Sequence, residues 1–230
     1  MDELTPIPRL RTNFGWREVD IDAVDEPLVR VDGISNRIID QPLYHQWGLA
    51  GALPASWVRA GVATRLARVI DDLPSDFTLI VWDAYRPLAL QSSLFYQYVM
   101  ELSAVHPDWP ADAIEEAAAR YVTPPSRSRV APPPHLTGAA VDLTLGFADG
   151  SERDLGTAFD AFVPEADTRA FEDGVPEIRD LRRLLYWTMH RHGFANYSEE
   201  WWHFDYGDQF WGLVNECAAM YGPAELPEVG

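Results

Sequence analysis

Hydrophobic positions change their period several times along the chain, and each change marks an element. Over residues 54–70 the apolar side chains Trp57, Val58, Val62, Leu66, Val69 and Ile70 recur at helical spacing, and Asp71, Asp72 and Pro74 close that helix. Residues 77–82 (FTLIVW) are continuously apolar and rich in strand formers, which predicts a buried central strand. A helix is expected over 87–105, with Pro87 suited to its first turn. A second begins at Pro110 and runs to Tyr121, with Asp112, Glu115 and Glu116 near its positive end. Five prolines between Thr123 and Pro134 then forbid helix and central strand alike. Strict alternation resumes over 139–145 (AAVDLTL), placing Val141, Leu143 and Leu145 on one face and Asp142 and Thr144 on the other. A turn, read as a hairpin, follows over 148–154. Residues 177–192 form the clearest amphipathic helix, closed by Gly193. A short aromatic strand is expected over 200–206 and a last helix over 208–220.

Residues 1–45 show only short extended stretches, such as 28–31, and turn signals at Asp32 and Gly33. They read as an N-terminal arm packed on a single catalytic domain of residues 46–230. The sum is an α+β fold, a central and mainly antiparallel sheet flanked by helices.

Charge narrows the function classes. The 230-residue chain carries 18 basic residues, all arginine, against 36 acidic ones, for a net charge of -18. With no lysine there is no Schiff-base chemistry and no standard phosphate-binding loop. So acidic a surface disfavours nucleic acid and anionic membranes as partners. The single cysteine, Cys217, forms no intramolecular disulfide, and near Val214 and Met220 it reads as helix packing. Residues 1–11 have no signal-peptide pattern, and no apolar run reaches the ~20 residues of a membrane span. The expected location is the cytoplasm.

Three elements carry candidate chemistry. His135 follows three prolines, which stiffen its approach, and Gly138 allows a tight turn into the strand bearing Asp142. Read alone, they equally describe a surface histidine and an edge-strand carboxylate. Glu200 precedes His203 by three residues, so the histidine can ligate a metal while the glutamate holds a water. On a regular strand the two would face opposite sides, so they converge only if the chain bends at Glu200. Trp201, Trp202 and Phe204 would keep that surround dry and raise the glutamate's pKa, although two polar residues at the rim of a hydrophobic strand explain the pattern as well. Arg86 lies where the first central strand meets a helix, placed either to stabilise an oxyanion or to pair with Asp83. Taken together, two imidazoles and a carboxylate make a three-ligand zinc set with an open position, with a glutamate for base and an arginine for charge. That is the inventory of a metallopeptidase.

The segments 82–87 (WDAYRP), 135–145 (HLTGAAVDLTL), 156–160 (GTAFD) and 200–204 (EWWHF) resemble, in order and separation, the D-alanyl-D-alanine dipeptidase family, the VanX-type branch of the M15 zinc peptidases. The resemblance covers about residues 75–210. It implies that His135, Asp142 and His203 hold one zinc ion per chain, that Glu200 is the catalytic base and that Arg86 stabilises the transition state. It also implies that Asp160 sits near the substrate's ammonium group, and that the partner is a small dipeptide such as D-Ala-D-Ala. The roles it allows are removal of that dipeptide in glycopeptide resistance and recycling of cell-wall dipeptide. One position departs. Pro133 stands where the family carries a serine that helps recognise the substrate amine, and proline has neither hydroxyl nor N–H. Two other readings therefore stay open, a related zinc hydrolase acting on a different small peptide or amide, and a zinc-binding module without activity.

The remaining histidines offer no such pattern. His190 and His192 end a helix, where cations complement the dipole, and His45 and His106 read as surface residues. There is no Gly-x-Ser-x-Gly elbow of the common serine hydrolases.

Overall fold

The computed structural model describes residues 5–227 except 13 and 120. In chain order its strands and helices are β1 (Leu28–Arg30), β2 (Ile38–Asp40), α1 (Leu43–Gln46), β3 (Trp57–Arg59), α2 (Ala60–Asp72), β4 (Phe77–Asp83), α3 (Leu88–Val105), α4 (Ala111–Ala118), β5 (Ala140–Phe147), α5 (Pro176–Arg191), β6 (Ala195–Asn196), β7 (His203–Asp205) and α6 (Gln209–Asn215). Five strands form the main sheet in the order β2-β4-β5-β7-β6. The β2–β4 pair is parallel and the other three are antiparallel. The fold is thus the α+β domain with a mainly antiparallel sheet that the hydrophobic pattern predicts.

The core follows from that pattern. Leu79, Val81, Leu143 and Leu145 on β4 and β5 are fully buried, as are Leu66, Val69 and Met189 on α2 and α5, which pack together against these strands. Each such side chain contributes ~1.5–3 kcal/mol relative to exposure. Because β4 and β5 are buried along almost their whole length, the polar Asp83 and Asp142 on them are buried too. A buried carboxylate needs partners, and here it finds them in a cavity. Gly193, with φ 87°, ends α5 in the left-handed position expected of it.

Several sequence expectations change. Trp57 and Val58 lie in β3, not in a helix, because Trp57–Arg59 pairs antiparallel with Leu28–Arg30 in a second, two-stranded sheet. The helix then begins only at Ala60. Residues 28–40, read as part of a wrapping arm, thereby supply strands to both sheets. The helix after Pro110 stops at Ala118. The strand expected from Glu200 starts at His203, since residues 200–203 form a turn in which the His203 N–H donates to the Glu200 carbonyl. The last helix stops at Asn215, where Glu216 takes a left-handed conformation, φ 56°. Cys217 consequently lies past the helix and is exposed rather than packed. His192 caps α5 and pairs with Asp72 at 3.2 Å.

Candidate active site

The sheet register assembles the site. Asp142 on β5 lies directly opposite His203 on β7, and opposite Asp83 on β4 next to a register shift. Three adjacent strands therefore present three polar side chains in one row. His135 arrives from the turn at residues 134–137, which the left-handed Gly138, φ 71°, joins to β5. Its main-chain carbonyl accepts the Arg86 N–H at 3.1 Å, which ties this turn to the end of β4.

Ligand-type atoms of His135, Asp142 and His203 all lie within 4.8 Å of one another, and all three residues are buried. His203 Nδ1 is 2.9 Å from Asp142 Oδ1 and 3.3 Å from His135 Nε2. The outward nitrogens are held elsewhere. His135 Nδ1 lies 2.7 Å from the Ala84 carbonyl, and His203 Nε2 lies 3.1 Å from Asp205 Oδ1. An acceptor on the far nitrogen fixes the tautomer so that the near nitrogen offers its lone pair inward. The donor set thus fits a divalent metal, two imidazoles and one carboxylate with oriented rings and room for further ligands. Burial and the Arg86 charge lower His135 to about 3, which keeps it neutral as a ligand must be. Behind the triad, Asp205 Oδ2 and Asp208 Oδ2 are buried without a donor. Burial and the neighbouring Asp205 push Asp208 well above the usual carboxylate range.

Glu200 joins the triad through the turn that replaces the expected strand. Its Oε2 is 3.9 Å from His203 Nδ1, the convergence that a bend at Glu200 was needed to give. Burial pushes its carboxyl up to about 8, with Asp142 and Asp160 adding to the effect and His203 opposing it. A divalent ion beside it would draw that value down again.

Arg86 and Asp160 form the opposite wall. Arg86 donates through Nε to Asp83 at 2.8 Å and through Nη1 to Gln91 at 3.1 Å, and its Nη2 lies 3.5 Å from Asp142. The ion pair with Asp83 is thus formed, and Arg86 also lines the cavity. Burial would lower its pKa, but Tyr44, Asp83 and Asp142 together raise it, so it stays charged. Asp160 sits in the left-handed region, φ 55°, a strained backbone for a residue with a side chain. Burial lifts its carboxyl to about 6 against the pull of Tyr44 and Arg86. The Tyr44 hydroxyl donates to Asp160 Oδ2 at 2.6 Å and lies 3.5 Å from Arg86 Nη2. Tyr44, Asp205 and Gln91 were not singled out in the sequence. Asp205 carries a local signal, since it lies two residues from His203 on one strand and so on the same face, whereas Tyr44 and Gln91 are marked only by their tertiary contacts.

All six sequence-derived residues line one cavity of about 340 Å3. With that geometry in place, the relatives can be compared. The M15 peptidase profile, described as D-Ala-D-Ala dipeptidase, matches residues 59–220. The chain belongs to this family. The matched segment holds the triad, Glu200, Arg86 and Asp160. A D-alanyl-D-alanine dipeptidase of Synechocystis is 29% identical over 175 residues, which cover 67% of this chain and 70% of that protein. The D-alanyl-D-alanine dipeptidase of Escherichia coli is 31% identical over 132 residues, covering 57% of this chain and 56% of its own. That of Enterococcus faecium is 30% identical over 140 residues, 58% of this chain and 64% of its own. Against the last two, the alignment thus spans less than two thirds of the relative's length. Among solved structures, the VanY D,D-pentapeptidase from a VanB-type resistance cassette, in complex with Zn(II), aligns at 18% identity over 69% of this chain and 77% of that one, with a TM-score of 0.44. VanYB in complex with D-alanine-D-alanine aligns at 17% identity over 80% and 94%, with a TM-score of 0.46. Among the described residues no helix is long and apolar enough to cross a membrane.

Proposed function

We propose that this M15 peptidase is a zinc-dependent dipeptidase that hydrolyses D-Ala-D-Ala or a similarly small dipeptide. The observation that carries this reading is the buried cluster of His135, Asp142 and His203, with each outward imidazole nitrogen engaged elsewhere and Glu200 alongside. One zinc ion suits two nitrogens and one oxygen with an open position, and when bound it supplies Lewis-acid activation of water and of the scissile carbonyl.

The chain's own groups do the rest. Glu200, next to the triad but still partly open to the cavity, takes the proton of the attacking water and passes it to the leaving amine. A divalent ion held by the triad would lower its raised proton affinity and leave it ionised for the first half of that transfer. Arg86, buried and permanently charged, meets the negative charge that develops on the carbonyl oxygen, a contribution of about 3 kcal/mol for one such donor. It is held by Asp83 and Gln91, so it need not reorganise during the reaction. Asp160 receives the substrate ammonium, with Tyr44 holding its carboxylate in place. Pro133 offers that ammonium nothing, and the Tyr44 hydroxyl is the polar group placed beside Asp160 instead.

A dipeptide panel with metal analysis tests the reading. The zinc-loaded protein should hydrolyse D-Ala-D-Ala or a close analogue, and chelation should abolish the activity. Glu200→Gln should keep about one zinc per chain and lose a factor of about 100 to 10,000 in kcat. Unchanged activity in that variant would remove Glu200 from the mechanism, and a protein that binds zinc but cleaves nothing would favour a non-enzymatic module.

A further inference from the structure

We infer that the N-terminal residue of the preferred substrate carries a bulky apolar side chain rather than the methyl of alanine. The inference rests on the proposed dipeptidase reading and specifies its substrate class. The cavity of about 340 Å3 does not end at the triad and its carboxylates. It falls within the range of about 300–1,000 Å3 used by drug-sized ligands, whereas an alanine dipeptide brings only two methyl groups. The extra space is aromatic. Phe162, Tyr98 and Tyr121 form a three-ring cluster with centroids 5.1–5.9 Å apart, and each of the three lines the cavity. Leu94 lies among them as a lining residue, and Trp47 closes the side next to Tyr44, with centroids 5.7 Å apart.

These rings are not core packing. Trp47 and Tyr121 are each 52% exposed and Phe162 is 44% exposed. Exposed aromatics gathered at a cavity mark a binding surface, because leaving them in water forgoes burial energy that a ligand can recover. Their place in the chain says which part of the substrate reaches them. Phe162 follows Asp160 by two residues, and Trp47 follows Tyr44 by three. The two groups proposed to seat the ammonium therefore carry the lobe with them. The side chain on the carbon bearing that ammonium is then the one directed towards it, and the bulkier that side chain, the more of the exposed ring surface it covers. Gln97, Glu101 and Arg17 stand at the same cavity as its polar lining.

The test varies only that side chain. In X-D-Ala dipeptides of both configurations at X, zinc-loaded protein should give a kcat/KM about tenfold or more higher when X carries leucyl or benzyl than when it carries methyl. Phe162→Ala should narrow that ratio about tenfold, and a control Phe147→Ala, at an exposed aromatic five residues along β5 from Asp142 and outside the cavity lining, should leave it alone. Calorimetric titration of the zinc-loaded Glu200→Gln protein with the same peptides reads binding without turnover, and the benzyl peptide should bind about tenfold tighter. Hydrolysis with equal or better use of the methyl peptide overturns this inference and leaves the dipeptidase reading intact. Absence of any hydrolysis overturns that reading, and the titration then still decides for or against the aromatic lobe.

Discussion

The two halves of the cavity are built in different ways. The half with the candidate metal triad is held by backbone. Asp142 and His203 are register partners in a β-ladder, and the His135 turn is tied to the segment just after β4 by the main-chain bond from the Arg86 N–H to the His135 carbonyl. The opposite half is held by side chains. Tyr44 comes from a one-turn helix and meets Asp160, at a strained loop position, through one hydroxyl–carboxylate bond, while Phe162, two residues further along that loop, packs on Tyr98 and Tyr121. Ladder positions leave little freedom, which suits a site whose ligands must keep fixed distances. Loop positions change at low cost to the fold, which suits the part that sets the choice of substrate. On the proposed reading, chemistry and specificity would therefore rest on separable structures.

The most severe way to break that separation is at the ladder. Asp142→Ala should abolish both zinc binding and hydrolysis, with zinc per chain falling to near zero. It also removes one buried partner from Arg86 and one from His203, while Asp83 and Asp205 still pair with them. We expect the apo protein to lose about 1–3 kcal/mol, a fall of roughly 2–12 °C in Tm, read by thermal unfolding. If Asp142→Ala retained its metal, the strand register would not be what holds it.

Asp205→Ala tests the support behind the ladder. Removing the acceptor at His203 Nε2 frees the ring to turn and should weaken zinc affinity about 10- to 100-fold. Competition against a chelator measures it. At saturating zinc, kcat should change by much less. An equal loss in kcat and in affinity would mean that Asp205 also acts on the substrate.

Tyr44→Phe addresses the other half alone. It deletes the hydroxyl that holds Asp160, so KM for peptides with a free amine should rise about tenfold, the lower end for a hydrogen bond to a charged group. Zinc affinity should not move. A change in metal stoichiometry here would show that the halves are coupled through Arg86, which lies within 3.5 Å of both Tyr44 and Asp142.

The same division explains what the sequence discloses. The ladder half is legible because strand alternation and the spacing from His135 to Asp142 and from Glu200 to His203 are local patterns. The helix of α5 and its Gly193 stop are local as well. What escapes is whatever depends on distant partners. Trp57 and Val58 satisfy a helical period, yet their strand exists only because residues 28–30 pair with it. Cys217 looks like the continuation of α6 until the left-handed Glu216 turns the chain away. Tyr44 is separated from Asp160 by more than a hundred residues, and nothing near it in sequence marks its hydroxyl as an anchor. The aromatic lobe is invisible for the same reason, since residues 47, 98, 121 and 162 come together only in the fold.

The smallest expected effect concerns the N-terminal segment, which reaches the cavity at Trp16 and Arg17. Its other end is pinned to the domain. Ile7 is buried against Tyr186 and Trp187, its N–H donates to Glu172 Oε1 at 2.9 Å, and Arg183 pairs with the same carboxylate. Burial alone would raise the Glu172 pKa, but the Arg183 and Ile7 bonds outweigh it and hold it below its ordinary 4.5. The ionised form is thus the one the folded protein favours. Its contribution is fully present above pH 4.5 and is lost as the pH falls through the lowered folded value. Glu172→Gln should therefore cost about 1–2 kcal/mol at pH 7. Mutant and wild-type stabilities should converge as the pH drops below about 4. Denaturant titrations at stepped pH measure this. Zinc affinity should be unaffected, and KM should shift by no more than a few fold, because Ile7 and Glu172 are not among the residues lining the cavity. A pH-independent difference would assign the loss to packing around Ile7 rather than to the Glu172 charge.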